Sequence, residues 1–306
     1  MTRQIGFFTD TTLCIGCKAC EVACKQWNQL PDDGFHFTGM SYDNTGRLGA
    51  STWRHVAFVE RPKDLPGQGS PRDGAEAQHA FAELNPLGQS PPTSLLGPEI
   101  SPSHIETPMP APTPNFSWLM MSDVCKHCER AGCLESCPTG AIFRTEFGSV
   151  YIQPDICNGC GYCVSACPFG VVDRREDDGR AWKCTLCYDR LKADLVPACA
   201  KHCPTASIQF GDIDELKQRA QERVQQLHDR GVKDAYLYGA DAASQPGTEG
   251  LRAFFLLCDV PEKYNLPSDP VVPTKKIGES WRAMAWGIAG LAALAIGSVL
   301  STRSGP

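Results

Sequence analysis

The sequence predicts an α+β protein organised around four cysteine quartets and closed by a C-terminal membrane-spanning helix. Three observations carry that prediction. Sixteen of the seventeen cysteines fall into four groups with short, repeated spacings. Short apolar runs of strand character lie between the groups, and one long amphipathic helix follows them. Near the end, Ala283 to Leu300 form eighteen residues without a charge, close to the length that crosses a hydrocarbon core.

In chain order, residues 1–61 hold a strand at Ile5–Thr9, the first cysteine group, and a second strand at Trp53–Glu60, where apolar, aromatic and β-branched side chains recur. Residues 62–114 carry twelve of the 24 prolines with no helical or strand period, which reads as an extended insert, either a spacer or a wrap over a partner. Residues 115–211 hold the other three cysteine groups between the apolar runs Ala141–Phe143, Val150–Ile152, Val171–Val172 and Ile208–Phe210. A helix follows, with Ile213, Leu216, Ala220, Val224 and Leu227 on one face, Asp212 to cap its start and Gly231 to end it. Residues 261–280 are Pro-rich and polar, and read as a linker.

The terminal segment, 281–302, reads as a single transmembrane pass rather than a buried soluble helix, because it follows a linker and nothing after it would cover it. Trp281, Arg282 and Trp286 at one end and Arg303 at the other suit the two interfaces. Ala285, Ala289, Ala293 and Gly297 recur every fourth residue, a small-residue stripe on which another membrane helix can pack.

The bulk composition excludes several classes. A net charge of −6 with no long basic run argues against nucleic acid as a partner. The odd cysteine number in a chain of 306 residues does not suit a disulfide scaffold. The N-terminus, MTRQIGFFTD, has neither a signal-peptide pattern nor a twin-arginine pair, so no export address is read there. No nucleophile elbow, phosphate loop or dinucleotide fingerprint is present, and no catalytic residue is assigned.

The cysteine spacings are specific. Cys14, Cys17, Cys20 and Cys24 are separated by two, two and three residues, and Cys125, Cys128, Cys133 and Cys137 by two, four and three. Cys157, Cys160, Cys163 and Cys167 are separated by two, two and three, and Cys184, Cys187, Cys199 and Cys203 by two, eleven and three. Pro138, Pro168 and Pro204 follow the last three groups. The third group is the bacterial ferredoxin pattern, in which three closely spaced thiolates hold one 4Fe–4S cluster and the fourth ligates its neighbour. Quartets of this kind work in pairs, so four quartets imply four 4Fe–4S clusters, with Gly16, Gly159 and Gly161 letting the loops approach the sulfides. Zinc ribbons also use paired C-x2-C, but not a third cysteine at the same spacing and a fourth before proline. His127 and His202 lie inside quartets already complete in sulfur and read as surface or hydrogen-bonding residues. Lys18, Lys126 and Lys183 adjoin cluster cysteines; the default for each is a solvated lysine, the alternative an electrostatic influence on potential. Cys258, in the apolar run Phe254–Val260, reads as a buried thiol outside the clusters.

Three segments then carry a resemblance: CIGCKACEVACKQWN at the first group, NGCGYCVSACPFG at the third, and KCTLCYDRLKADLVPACAKHCPTASIQFG at the fourth. Together they resemble the iron–sulfur (beta) subunits of membrane-bound respiratory formate dehydrogenases, over nearly the whole chain. The resemblance implies two nested ferredoxin-like di-cluster modules: an outer one from 1–61 and 183–260, and an inner one from 115–182. It implies that Cys14, Cys17 and Cys20 share a cluster with Cys203, and that Cys184, Cys187 and Cys199 share one with Cys24. The inner pair becomes Cys125, Cys128 and Cys133 with Cys167, and Cys157, Cys160 and Cys163 with Cys137. The implied role is non-catalytic. Electrons pass from a molybdenum- or tungsten-pterin catalytic (alpha) subunit that oxidises formate, through the clusters, to a membrane cytochrome b (gamma) subunit and quinone. The wider family, with polysulfide, thiosulfate and dimethyl-sulfoxide reductases, supplies the alternative. Lys25 follows Cys24 where the other groups have proline, and the insert is longer than the family's usual connection. Lys275, Lys276 and Arg282 before the anchor favour a cytoplasmic cluster domain by charge bias. The resemblance favours the outer (periplasmic) face of the plasma membrane, reached as a folded passenger of the catalytic subunit.

Overall fold

A computed structural model of the chain describes residues 4–34, 39, 42, 43, 45–62 and 116–303. Met1–Val59 and Leu119–Pro306 fall in one compact unit, and of the remaining stretch, Glu60–Trp118, only residues 60–62 and 116–118 are described. The expected Pro-rich insert therefore lies, apart from Pro62, outside the described residues.

The first strand, β1 (Ile5–Asp10), is buried along its whole length, because it is covered on both edges and both faces. It pairs antiparallel with Ile208–Asp212 and parallel with Ala253–Leu257, and the latter pairs antiparallel with Tyr236–Tyr238. With these numbered β8, β10 and β9 in chain order, the sheet runs β8-β1-β10-β9. Successive side chains of a strand point to opposite faces, and β1 uses both. Ile5 and Phe7 face a core shared with the cysteines, while Phe8 joins a second core with Phe254, the two rings stacked at 5.3 Å.

That second core is closed by the long helix, Ile213–Asp229. It starts where Asp212 accepts from the Asp214 N–H at 3.0 Å, a cap that contributes about 1 kcal/mol. Ile213, Leu216, Ala220 and Leu227 are buried on its inner face, with Val224 half-buried. The helix ends at Asp229, and Gly231 follows in the left-handed region with φ of +88°. Arg223, one face round, pairs at 2.9 Å with Asp10, a carboxylate with no solvent exposure, and so ties the helix to the end of β1.

Smaller elements carry the cysteine loops. The helix α1 (Ala19–Trp27) follows the first loop, and β2 (Arg54–Pro62) pairs with β3 (Phe116–Val124). The helix α2 (Gly132–Glu135) precedes the hairpin β4 (Ile142–Arg144) and β5 (Val150–Ile152), with Phe143 opposite Tyr151. The helix α3 (Tyr162–Ser165) precedes the short hairpin β6 (Asp173–Arg174) and β7 (Ala181–Trp182). Val171 and Val172 are buried just before β6 rather than within a strand. The fourth group carries α4 (Tyr188–Lys192) and α5 (Ala198–Lys201), so the long helix is α6.

Residues 261–280 depart from the expected linker. Two 3-10 turns, Pro261–Tyr264 and Pro273–Lys276, bracket a stretch that packs back on the body. Tyr264, Leu266 and Val272 are buried, and the Val272 N–H donates to the Gly247 carbonyl at 3.2 Å. Proline content alone reads as linker, but isolated apolar residues between prolines serve here as core contacts. The final helix, α7 (Ile277–Arg303), has exposed side chains throughout Ile277–Ile296. Among the described residues no helix is long and apolar enough to cross a membrane. The uncharged run continues to Leu300, so the expected span, and Gly297 of the small-residue stripe, lie in part outside the residues whose side chains are described.

Candidate iron–sulfur sites

The inner cysteines sit where strands and helices end. Cys125 follows β3, Cys133 lies in α2, and Cys137 and Cys167 come just after α2 and α3. The two short helices pack against each other, and that contact exchanges their last cysteines. Cys125, Cys128, Cys133 and Cys167 line one small cavity, and Cys137, Cys157, Cys160 and Cys163 line another. Gly132 permits the approach, since a Cβ there would meet the Ala166 carbonyl oxygen at 2.4 Å. Gly132→Ala is therefore expected to force the two helices apart at a cost of about 1–3 kcal/mol. Visible absorbance followed on heating checks it: cluster bleaching should begin at lower temperature than in the unaltered protein.

The outer cysteines come together through α1 and α5, which also pack against each other. Cys24, on α1, lies within electrostatic reach of Cys184, Cys199 and Cys187, and Cys14 within reach of Cys203 and Cys17. Cys20 stands beside Cys199 and within 3.1 Å of the Ser122 hydroxyl. Cys17 and Cys160 are the exposed members of their groups.

The loops are wound to present backbone N–H groups. Gly16, Gly159 and Gly161 have φ of +66°, +73° and +80°, and Lys18, His127, Leu186 and Cys187 adopt the same left-handed region without glycine's freedom. Left-handed residues in succession with right-handed ones form concave nests of N–H donors that suit anionic ligands. The Leu186 N–H reaches Cys184 Sγ at 3.3 Å and the Ala181 N–H reaches Cys157 Sγ at 3.4 Å. The Asn28 side-chain amide donates to Cys24 Sγ at 3.6 Å. Thr139 and Thr205 place hydroxyls 3.6 and 3.8 Å from Cys137 and Cys203. These threonines were not singled out from the sequence, although the repeated C-P-T at 137–139 and 203–205 marks them.

Electrostatics describe what such sites require. Burial first, and then the neighbouring sulfurs Cys125, Cys167 and Cys133, push the Cys128 thiol well above its ordinary range. Cys24 is raised in the same way by burial and by Cys184, Cys199 and Cys187. Burial raises Cys133 to about 12 and Cys163 to about 11. At Cys137 slight burial acts upward, but hydrogen bonds from the Thr139 hydroxyl and from the backbone at Ile142, Thr139 and Ala141 outweigh it and lower the thiol. Four thiolates cannot share a buried cavity unless a polycationic core offsets their repulsion.

Two cations and a histidine differ from expectation. Lys126 and Lys183 are 1% and 2% exposed, not solvated. The local sequence around each cysteine could not reveal this, since β-strands and loops far along the chain cover both. His127 is likewise buried rather than superficial. Its Nδ1 accepts from the Val150 N–H at 3.1 Å, so in the neutral ring, which burial favours, Nε2 carries the proton. That Nε2 has no hydrogen-bond acceptor among the described residues, and His127 lines the cavity of Cys125, Cys128, Cys133 and Cys167. A cluster sulfide supplies such an acceptor, so the residues present fit the group. His202 is exposed, its Nδ1 at 2.9 Å from the Ala198 carbonyl. Cys258 is buried in the second core.

Comparison with known proteins decides the family. Residues 116–213 match the family described as "4Fe-4S dicluster domain". The nitrate-inducible formate dehydrogenase iron–sulfur subunit of Escherichia coli is 34% identical over 275 residues, covering 89% of this chain and 75% of that protein. The chain belongs to the formate dehydrogenase iron–sulfur subunit family. The Haemophilus influenzae formate dehydrogenase iron–sulfur subunit is 35% identical over 88% of this chain and 70% of its own length. The B subunit of the E. coli anaerobic dimethyl sulfoxide reductase is 30% identical over 72% of this chain and 78% of its own length. Like its relatives, this iron–sulfur subunit is an electron-transfer protein, and its cofactors are 4Fe–4S clusters, for which its sixteen grouped cysteines provide four quartets.

Proposed function

We propose that this subunit conducts electrons from a formate-oxidising molybdenum- or tungsten-pterin subunit, through four clusters, to a membrane cytochrome b and quinone. A 4Fe–4S cluster supplies one-electron transfer at each site. The single observation that carries the reading is the exchange of fourth cysteines: each of the two inner cavities draws three cysteines from one group and one from another, and in the outer pair Cys24 adjoins Cys184, Cys187 and Cys199 while Cys14 adjoins Cys203. On it rest the ligand sets Cys14, Cys17, Cys20 and Cys203; Cys24, Cys184, Cys187 and Cys199; Cys125, Cys128, Cys133 and Cys167; and Cys137, Cys157, Cys160 and Cys163. The same sets divide the chain into the two nested modules.

An order follows from which sulfurs of different sets adjoin. Cys20 stands by Cys199, Cys184 by Cys125, and Cys133 by Cys163. The first set, with Cys203, thus neighbours the second, the second neighbours the third, and the third neighbours the fourth. Exposed Cys17 and Cys160 lie in the first and last sets, which suits electron entry and exit at the two ends. The helix Ile277–Arg303, with its exposed described face and the interfacial Trp281 and Trp286, is read as the membrane anchor, packing on the cytochrome and on lipid. The body is placed on the outer face, where a folded passenger need not obey a small charge bias.

The formate reading is preferred to a dimethyl-sulfoxide or sulfur-compound reductase because the formate relatives match more of the chain. The complex purified without oxygen should contain about sixteen irons in this subunit, four per cluster, and should reduce a quinone analogue with formate. Stoichiometric zinc in place of iron would overturn the cluster assignment. Turnover with dimethyl sulfoxide or a sulfur oxyanion and none with formate would overturn the substrate alone.

A further inference from the structure

Arg54 and Lys183 are buried cations with no carboxylate partner among the described residues, and each stands where two cysteine sets meet. Arg54, on β2, is 1% exposed. Its guanidinium donates to Cys199 Sγ at 3.1 Å and to the Ser122 carbonyl at 3.2 Å, and Nε has no partner among the described residues. Phe7 covers it, the ring centre 5.0 Å from Cζ. Electrostatically it faces Cys199 and Cys184 of the second set and Cys20 of the first. Lys183, 2% exposed, donates to the carbonyls of Val150 and Cys184 and faces Cys125, Cys133 and Cys167 of the third set and Cys184 of the second. Lys126, equally buried, differs in kind: it pairs with Asp123, so its charge is neutralised within its own loop.

An unpaired buried cation is strongly disfavoured unless negative charge lies close by. Among the described residues, the negative charge that acts most on Arg54 and Lys183 is that of the cysteine thiolates and whatever they hold. A reduced cluster with its four thiolates carries one more negative charge than an oxidised one. A cation set between two clusters therefore favours the reduced form of both and lessens the repulsion between them when both are reduced.

On the ligand sets read above, we infer that Arg54 and Lys183 are the charge-setting residues of the first two junctions of the electron path. Arg54 raises together the potentials of the clusters of the first and second sets, and Lys183 those of the second and third.

The test is a redox titration of the intact anaerobic complex, followed by electron paramagnetic resonance and paired with iron counting. Arg54→Gln is expected to shift two midpoint potentials downward and leave the other two in place, and Arg54→Lys to restore much of the shift. Lys183→Met is expected to shift a different pair that shares one cluster with the first, and Lys183→Arg to restore it. This overlap of pairs is a signature that a purely structural role does not produce. If Arg54→Gln loses iron while Arg54→Lys keeps it, the demand for a cation at that junction is upheld. Iron loss in both Arg54 variants, or full iron with unmoved potentials in Arg54→Gln and Lys183→Met, overturns the inference. Failure of the ligand reading is seen separately, as fewer than four clusters in the unaltered protein.

Discussion

Cys203→Ser is expected to remove the cluster held with Cys14, Cys17 and Cys20, and to leave the cluster of Cys184, Cys187 and Cys199 in place. This is the largest effect expected from a single side chain. Cys14 and Cys203 are far apart in sequence, yet Cys203 is the first sulfur to act on Cys14. The short helix α5 holds Cys199 inward toward Cys24, and the chain then turns so that Cys203 projects to the other side, next to the Thr205 hydroxyl. On the proposed series of sets, loss of the first is also expected to interrupt electron flow between catalytic subunit and quinone. The measurement is iron content with paramagnetic resonance of the purified complex: about four irons fewer, with one reduced-cluster signal gone. Loss confined to the signal of the cluster in Cys184, Cys187 and Cys199 would falsify the exchange of ligands. A parallel Cys258→Ser variant, altered at a buried sulfur outside every quartet, is expected to keep all four signals.

Ending the chain after Lys276 should move the subunit from the membrane to the soluble fraction with its clusters intact. No cysteine of any quartet lies beyond Cys203, and the buried Leu266 and Val272, with Thr274 and Lys275 that bond to Glu135 and Pro246, are retained. The helix removed, Ile277–Arg303, has an exposed side chain at every described position, so its loss uncovers nothing. Membrane fractionation with visible spectra of both fractions reads the result. Retention in the membrane would show that a partner subunit, and not this helix, is the attachment. Ala289→Leu then separates anchor from interface, because leucine is favourable in lipid but too bulky for a close helix crossing. Insertion should persist while cytochrome co-purification in mild detergent falls, and equal recovery would reduce the small-residue stripe to a consequence of alanine-rich sequence.

Much of the fold was legible because its signals are local. The strand read at Ile5–Thr9 extends by one residue to Asp10, and the buried face of Ile213–Asp229 and the Asp212 cap follow from periodicity and from the chemistry of a helix start. The apolar runs Ala141–Phe143 and Val150–Ile152 were legible, but their pairing as a hairpin comes from the structure. Arg54 was not legible. It lies in a run correctly read as a strand, where one charged residue among Trp53, Val56, Ala57 and Phe58 looks like the solvent face of an alternating pattern. It is buried because β2 and its partner strand close over the junction of two cysteine sets, and Phe7 from β1 caps it. Tyr264, Leu266 and Val272 were missed for a related reason: three apolar residues among prolines show no period, and only their contacts with the body give them a place.

By itself the sequence determined that the cysteines come as quartets, that each loop must turn tightly, and that the chemistry is sulfur on iron. Those are properties of ligand spacing, and a loop of two or three intervening residues limits what its thiolates can reach whatever the rest of the chain does. The tertiary structure brings Cys167 to Cys125, Cys128 and Cys133, and Cys137 to Cys157, Cys160 and Cys163, and it alone shows which cations are shut in beside the cysteines. Those outcomes depend on α1 meeting α5, on α2 meeting α3 and on strands closing over Arg54 and Lys183. The free energy of such contacts is gained by surfaces brought together across the whole chain, and no local pattern records it.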